Sequence, residues 1–193
     1  MGIVKERFKE KSDAANIEIK NLLKEHGNKV IGEVTLSQIY QGMRGMTGLV
    51  TETSLLDAQE GIRFRGFSIP ELQQKLPKAN GGAEPLPEGL FYLMLIGELP
   101  TMDDVNHITN VWQRRSHVPS HVFSAIDSLP LYAHPMTMFV IGVMALQTEG
   151  HFVKEYSNGI NKKDYWNSVY DDCMDLIARL PRIAAYVYRR KYK

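Results

Sequence analysis

Signals that begin and end helices recur along the chain from Ser68 to its end, and they constrain the fold more than any other feature of the sequence. Proline favours a first helical turn because it lacks the amide hydrogen that this turn leaves unpaired, and a carboxylate there complements the helix dipole. The start signals are Pro70-Glu71, Pro87-Glu88, Thr101 with Asp104, Ser120 and Pro135, and the stop signals are Pro77 and Gly150. The sequence therefore predicts a mainly α, multi-helical region over residues 69–193, with residues 77–87 as a loop.

A long last helix is predicted to begin near Lys163. Its apolar residues have the spacing of one helix face, namely Trp166, Val169, Tyr170, Cys173, Leu176, Ile177 and Leu180. Pro181 is expected to kink or break this helix. Cys173 is the only cysteine, which is typical of a reducing compartment, and its place in the stripe predicts a packed, unreactive thiol.

Residues 136–148 are predicted to form a helix that is apolar on nearly every side. Such a helix must be covered all round, either by the core of its own domain or by another subunit. The residues alone leave both possibilities open.

The first 68 residues have a different character. Residues 1–28 are predicted to be an opening helix, because an apolar stripe ends at Leu23 and Gly27 supplies a stop. Residues 29–68 are predicted to hold short strands at 30–34, 49–55 and 62–67, with a glycine-rich loop at 42–48. We therefore expect a short β-hairpin near the amino terminus.

Charge and hydropathy argue against several classes of protein. Lys and Arg number 23 against 22 Asp and Glu, so there is no general attraction to nucleic acid or to an anionic membrane. The longest apolar run, residues 136–146, is shorter than the roughly 20 residues that a bilayer span requires. Residues 1–6 lack the apolar core of a signal peptide, and an acidic residue among them argues against a transit peptide. We therefore expect any targeting peptide to be absent from this chain.

Two basic positions are candidates for anion binding. Arg44 lies between Gly42 and Gly45, where backbone amides and a guanidinium could receive phosphate oxygens. A plain turn with a solvated arginine is the alternative. Lys162 and Lys163 mark the start of the last helix, where the dipole disfavours cations and a bound anion would relieve that, although a solvated loop is the favoured explanation from the residues alone.

Two further arginines, Arg63 and Arg65, alternate along the predicted third strand. We expect them to pair with Asp57 or Glu60, and a bound carboxylate is the alternative.

The histidines give no sign of a metal site or a catalytic base. His117 and His121 are four residues apart, but Pro119 interrupts any helix that would align them. His134 is expected to start a helix. No complete catalytic set is found, so we predict no catalytic residue and no metal ligand in this chain.

Six segments carry a family resemblance. They are Tyr-Gln-Gly-Met-Arg-Gly-Met-Thr-Gly at 40–48, Thr-Glu-Thr-Ser at 51–54, Glu-Gly-Ile-Arg-Phe-Arg-Gly-Phe-Ser-Ile-Pro at 60–70, Glu-Pro-Leu-Pro-Glu at 84–88, Leu-Tyr-Ala-His-Pro-Met at 131–136 and Asp-Cys-Met-Asp-Leu-Ile-Ala at 172–178. In this order they closely resemble the mitochondrial type of citrate synthase. The resemblance implies that residues 1–193 are the amino-terminal part of that family's large domain.

The same resemblance implies a homodimeric enzyme that joins acetyl-CoA to oxaloacetate and releases citrate and CoA, without a permanently bound cofactor. In that family an aspartate and two histidines carry the chemistry, and all three lie beyond the last residue of this chain. The chain alone is therefore expected to be inactive. A non-catalytic structural subunit derived from the family, or one half of a split enzyme, is the alternative.

Two ligand positions are implied by the resemblance. Arg44 matches an arginine that contacts CoA phosphate. Lys162 stands where the family has an arginine that reaches the CoA of the partner subunit, and lysine keeps the charge but loses the guanidinium fork. The resemblance also implies dimer contacts through residues 136–148 and 163–192, and a location in the mitochondrial matrix.

Overall fold

The computed structural model describes residues 2–46 and 48–193. The chain divides into two compact units, Met1–Val105 and Asn106–Lys193. Most described residues are helical, which confirms the mainly α prediction.

The first unit contains the only strands among the described residues. Its elements are α1 (Ile3–His26), α2 (Leu36–Tyr40), β1 (Ser54–Asp57), β2 (Gly61–Phe64), β3 (Phe67–Ser68), α3 (Ile69–Lys75), α4 (Pro87–Ile96) and the start of α5 (Met102–Arg115). The second unit contains the rest of α5, then α6 (Ser120–Asp127), α7 (Pro135–Ala145), a 3₁₀ turn at Leu146–Glu149, α8 (His151–Ser157), a 3₁₀ turn at Lys162–Asp164 and α9 (Tyr165–Tyr192).

The predicted helix starts from Pro70 onward are confirmed, and hydrogen bonds explain two of them, whereas α2 and α8 were not predicted. The Ser68 amide donates to Glu71 Oε2 at 2.8 Å, and the Thr101 amide donates to Asp104 Oδ2 at 2.9 Å. In each case the carboxylate satisfies an amide that a helix start leaves unpaired. The loop at 77–87 is also confirmed, and the amide of Leu86 closes it by donating to Pro77 O at 3.0 Å.

The β-hairpin is confirmed, but its strands differ from the predicted ones. β1, β2 and β3 form an antiparallel sheet in that order, with Ser54 opposite Phe64. Between β1 and β2 the Asp57 carboxylate accepts hydrogen bonds from the amides of Glu60 and Gln59, and these bonds lower the pKa of Asp57.

The predicted strand at 30–34 was wrong, and the one at 49–55 was largely wrong. Val30 and Ile31 are 80% and 81% exposed and pair with no other described strand, so their β propensity finds no packed surface to act on. Regular pairing begins only at Ser54. The strand predicted at 62–67 is interrupted after Phe64 by a left-handed turn, in which Arg65 has φ +47°.

The first unit has its core where the sheet meets α3 and α4. Leu72, Leu76 and Leu93 are buried there, with Phe64 and Phe67 packed against them. Only the start of α1 contributes to a core, through buried Val4, while its predicted apolar stripe is largely exposed at Ile19, Leu22 and Leu23. The helix bounds of α1 are as predicted, whereas the packing of its second half is not.

The second unit is built around α9. One cluster of its buried residues comes from α6, α7, α9 and the segments beside them, and it contains Val118, Val122, Ile126, Met138, Leu146, Ile183 and Val187. α9 runs without interruption through Pro181, so the predicted break does not occur. The exposed ring of Pro181 removes one backbone hydrogen bond, but buried residues beyond it keep the helix in place.

The buried stripe of α9 is turned relative to the predicted one. Tyr170, Met174 and Ala178 are buried, whereas Val169 and Leu176 are exposed. Cys173 is exposed, so the prediction of a packed thiol was wrong. The reason is that apolar residues occur on two adjacent faces of α9 and the core of this unit covers only one.

Within the described residues no single helix is both long and apolar enough to cross a membrane. The pair formed by Pro135–Glu149 and His151–Ser157 meets the length and composition criteria only jointly, and it is bent by 46°.

A core glycine gives a test of the packing in the second unit. A Cβ on Gly142 of α7 would lie 2.9 Å from Ile126 Cδ1 and 2.9 Å from Ile183 Cγ2. We expect Gly142→Ala to lower the free energy of unfolding by about 1–2 kcal/mol, because the clash outweighs the better helix propensity of alanine. Urea unfolding followed by fluorescence measures this, since both tryptophans, Trp112 and Trp166, lie in the second unit.

The control for that measurement is Thr137→Ala at an exposed position of the same helix, which should change the free energy by less than about 0.5 kcal/mol. Equal or greater stability of Gly142→Ala would contradict the packing described above.

Candidate ligand-binding site

Arg44 lies in the turn that follows α2. The backbone is left-handed at Gly42, Met43 and Gly45, with φ of +73°, +62° and +75°. Glycine adopts this conformation without strain, which explains why a glycine-rich sequence forms the turn. Arg44 is exposed, and its guanidinium makes no hydrogen bond or ion pair with any residue that the structure describes. Thr47 of the predicted loop lies outside the described residues.

Lys162 begins the 3₁₀ turn between α8 and α9. The side-chain oxygen of Asn161 accepts a hydrogen bond from the Lys163 amide at 3.1 Å. The backbone carbonyl of Asn161 accepts one from the Asp164 amide at 2.8 Å. These bonds fix the backbone on both sides of Lys162. Its side chain is exposed and has no ion pair within the described part of the chain.

Arg44 belongs to the first unit and Lys162 to the second. Each is an exposed cation in a turn. Left-handed glycines shape the Arg44 turn, and local hydrogen bonds fix the Lys162 turn. Charge and exposure suit both to a phosphate group.

A cluster of charged residues that the sequence did not predict lies between α5 and α9. Asp175, 8% exposed, accepts hydrogen bonds from Arg115 at 2.6 Å and from Arg179 at 3.1 Å. Arg115 also donates to Asp171 at 2.8 Å. Burial lowers the pKa of Arg115, but the bonds and charges of Asp175 and Asp171 outweigh it and leave this pKa raised.

The two aspartates of this cluster are both paired with arginines. The Asp175 carboxylate is occupied by two arginines and lies 3.4 Å from His151 Nε2. Burial raises the pKa of nearby Tyr170 to about 12, so that its hydroxyl stays protonated. The cluster is suited to fixing helices rather than to proton transfer. Among the described residues no group of three or more His, Cys, Asp or Glu could hold a metal ion.

The other singled-out residues have structural partners. Arg63 donates to Glu60 at 2.9 Å, which confirms the predicted pair. Arg65 instead donates to the Met94 carbonyl at the end of α4, at 2.9 Å and 3.2 Å, because its backbone turns away from the strand. The ring of His134 accepts a hydrogen bond from the Met136 amide at 3.2 Å, so the predicted helix-start role is confirmed.

Asp172 is a further residue that the sequence analysis missed. It accepts hydrogen bonds from two backbone amides at the start of α8, those of His151 and Phe152. A capping box joins residues three apart, whereas Asp172 lies about twenty residues beyond the helix start that it caps. The sequence pattern of a helix start therefore could not reveal it.

Comparison with known proteins places this chain in a family. Residues 42–193 match the family described as "Citrate synthase, C-terminal domain". The mitochondrial citrate synthase of Aspergillus niger is 55% identical over 190 residues, a match that covers 98% of this chain and 40% of that protein. The chain thus spans well under half the length of this curated relative.

Solved structures show the same fold. The citrate synthase of Pyrobaculum aerophilum matches with a TM-score of 0.64 and 24% identity, over 84% of this chain and 40% of that one. A structure of citrate synthase from the archaeon Thermoplasma acidophilum, a ternary complex with carboxymethyl coenzyme A and oxaloacetate, matches with a TM-score of 0.59 and 22% identity, over 78% of this chain and 35% of that one. Motifs, fold and identity agree, and this chain belongs to the citrate synthase family.

Proposed function

We propose that this chain is the amino-terminal part of an enzyme that condenses acetyl-CoA with oxaloacetate and water to give citrate and CoA. The observation that carries the proposal is the 55% identity to a mitochondrial citrate synthase over 98% of this chain. On this proposal residues 1–193 form part of the large domain, with the opening helix at 1–28, the short strands and glycine-rich loop at 29–68, and the helices at 69–193.

The proposed role of Arg44 and Lys162 is to bind the phosphates of CoA, which is a substrate or product and not a permanently bound cofactor. Both side chains are exposed cations without an ion pair among the described residues. The Thermoplasma acidophilum relative binds a CoA derivative together with oxaloacetate. Because lysine is a point charge, we expect Lys162 to attract phosphate without the bidentate geometry of an arginine.

The groups that transfer protons are proposed to lie in polypeptide outside these residues. Asp175 is engaged by arginines, and the His134 ring accepts a hydrogen bond from the Met136 amide at a helix start. A carboxylate or imidazole that is already satisfied is a poor base for a thioester methyl group. The alternatives are a non-catalytic structural subunit derived from the family and one half of a split enzyme.

A homodimer through α7 and α9 is also proposed. On α7 the side chains of Met136, Val140 and Met144 are 57%, 52% and 64% exposed. A helix that is apolar all round and covered on one side only needs a further partner, and a second copy would supply it. The mitochondrial matrix is the proposed location, supported by the mitochondrial relative.

The activity proposal is tested by release of CoA thiol from acetyl-CoA and oxaloacetate. The chain alone should show no turnover, because the groups that remove the methyl proton are missing. Addition of a carboxy-terminal polypeptide of the family should restore citrate formation. Citrate production by the chain alone would contradict the proposal, and a chain that neither binds nor activates such a partner would favour the structural subunit.

The phosphate contacts are tested by titrating the chain with CoA. Arg44→Ala and Lys162→Ala should each weaken binding by about 3- to 10-fold, since each removes one charged contact at an exposed site. Lys162→Arg should bind at least as tightly as the natural protein. Lys163→Ala removes the neighbouring charge and serves as the control. Equal weakening by Lys163→Ala and Lys162→Ala would show a general charge effect and refute a specific site.

The dimer is tested by sedimentation equilibrium. The natural chain should sediment as a dimer and Val140→Asp as a monomer, because a charge on the exposed face of α7 would be buried without a partner. Val30→Asp, at an exposed position of the first unit, should leave the dimer intact. A natural chain that is monomeric at every concentration would rule out this interface.

A further inference from the structure

The turn that carries Lys162 is tied to α9 on both sides. α8 precedes it and α9 follows it, and α8 packs along α9. The chain runs along α9 as α8, reverses direction in the turn that contains Lys162 and then enters α9 itself. The position of Lys162 therefore depends on how firmly α8 is held.

Asp172 of α9 holds the start of α8. Its Oδ1 accepts a hydrogen bond from the His151 amide at 2.6 Å, and its Oδ2 accepts one from the Phe152 amide at 2.9 Å. The preceding residue is Gly150, which has no side chain with which to cap this helix. Asp172 therefore supplies from another helix the acceptor that a local cap would otherwise provide.

The far end of α8 is closed by backbone hydrogen bonds. Gly159 is left-handed, with φ +79°, and its amide donates to Tyr156 O at 3.0 Å. The amide of Ile160 donates to Glu155 O at 3.1 Å. This pattern is a Schellman motif, which ends a helix in a fixed direction. The direction of the backbone at Asn161 and Lys162 is therefore set by the orientation of α8.

Three aromatic rings join α8 to the first residue of α9. The Phe152 ring lies 5.0 Å from that of Tyr165, edge to face, and the Tyr156 ring lies 6.0 Å from it. Such contacts hold α8 beside α9 but allow sliding, whereas two hydrogen bonds to one carboxylate fix its register.

We propose that Asp172 is a positioning residue for Lys162, which holds the Lys162 turn in place through α8; the CoA-binding part of this inference rests on the proposed function. α8 has seven residues, too few for a stable helix by itself. Without the Asp172 carboxylate two of its first amides lose their acceptor. α8 then frays, and the backbone that presents Lys162 loses its fixed direction.

The test uses the full chain with Asp172→Ala, Asp172→Asn and the control Asp171→Asn. Asp171 is the adjacent carboxylate of α9 and accepts a hydrogen bond from Arg115. Hydrogen exchange of the amides at 151–164 should be about tenfold faster in Asp172→Ala, because a charged acceptor for two amides is lost. Asp172→Asn keeps one acceptor oxygen and should be intermediate. Asp171→Asn should exchange in this segment as the natural chain does.

A second readout separates positioning from general stability. An amine-reactive reagent modifies lysines, and the modification of each lysine is measured with and without CoA. CoA should reduce the modification of Lys162 in the natural chain and in Asp171→Asn. In Asp172→Ala that protection should require several times more CoA, with partial recovery in Asp172→Asn. Fluorescence in urea reports the global stability of each variant.

The outcomes are distinct. Unchanged exchange at 151–164 in Asp172→Ala would overturn the inference, as would faster exchange with full protection of Lys162 at the same CoA concentration. Faster exchange throughout the second unit, matched by Asp171→Asn, would show that Asp172 acts only on general stability and would also overturn it. If CoA protects Lys162 in no variant, the proposed CoA contact fails, while the exchange data still decide whether Asp172 orders the turn.

Discussion

The second unit depends on the burial of one face of α9 against α6 and α7. Ile183 and Val187 of α9 are buried with Ile126 of α6 and Met138 of α7. Each such side chain contributes about 1.5–3 kcal/mol when it is removed from water. This is enough to keep a helix of 28 residues continuous past Pro181, where a proline would cost about 3 kcal/mol in an unsupported helix. The absence of a side chain at Gly142 is what lets α7 approach so closely.

Once α9 is fixed, its polar side chains position the segments around it. Asp172 caps α8, and Asp175 ties the end of α5 to α9 through Arg115. Near the end of α9, Arg190 donates to the carbonyl of Asp127, the last residue of α6, at 2.8 Å, and to that of Leu129 in the following loop at 2.7 Å. The last turn of α9 is a suitable place for such a cation, because the helix dipole is negative there. The apolar core thus supports the two features for which a function is proposed, the Lys162 turn and the exposed face of α7.

Much of this could be predicted where local chemistry decides the outcome. Capping by Ser68 and Thr101 involves residues three apart, so the helix starts are legible in the sequence. The strand at 30–34 failed because a β propensity has no effect without a partner strand. The face on which Cys173 lies also could not be read, since two faces of α9 are apolar and only tertiary packing selects one. For the candidate site, the sequence singled out Arg44 and Lys162, whereas Asp172 became visible only when distant segments were brought together.

We infer that these residues are one part of a longer citrate synthase polypeptide. The family membership and the incomplete coverage of the relatives both fit this inference, and Asp175 pairs with Arg115 instead of being free to act as a base. Intact-mass spectrometry of the protein isolated from its natural source tests the claim most directly. Because the match covers 40% of the Aspergillus niger relative, we expect a mass between two and three times the 22.0 kDa of these residues. A native mass of 22.0 kDa would contradict the claim.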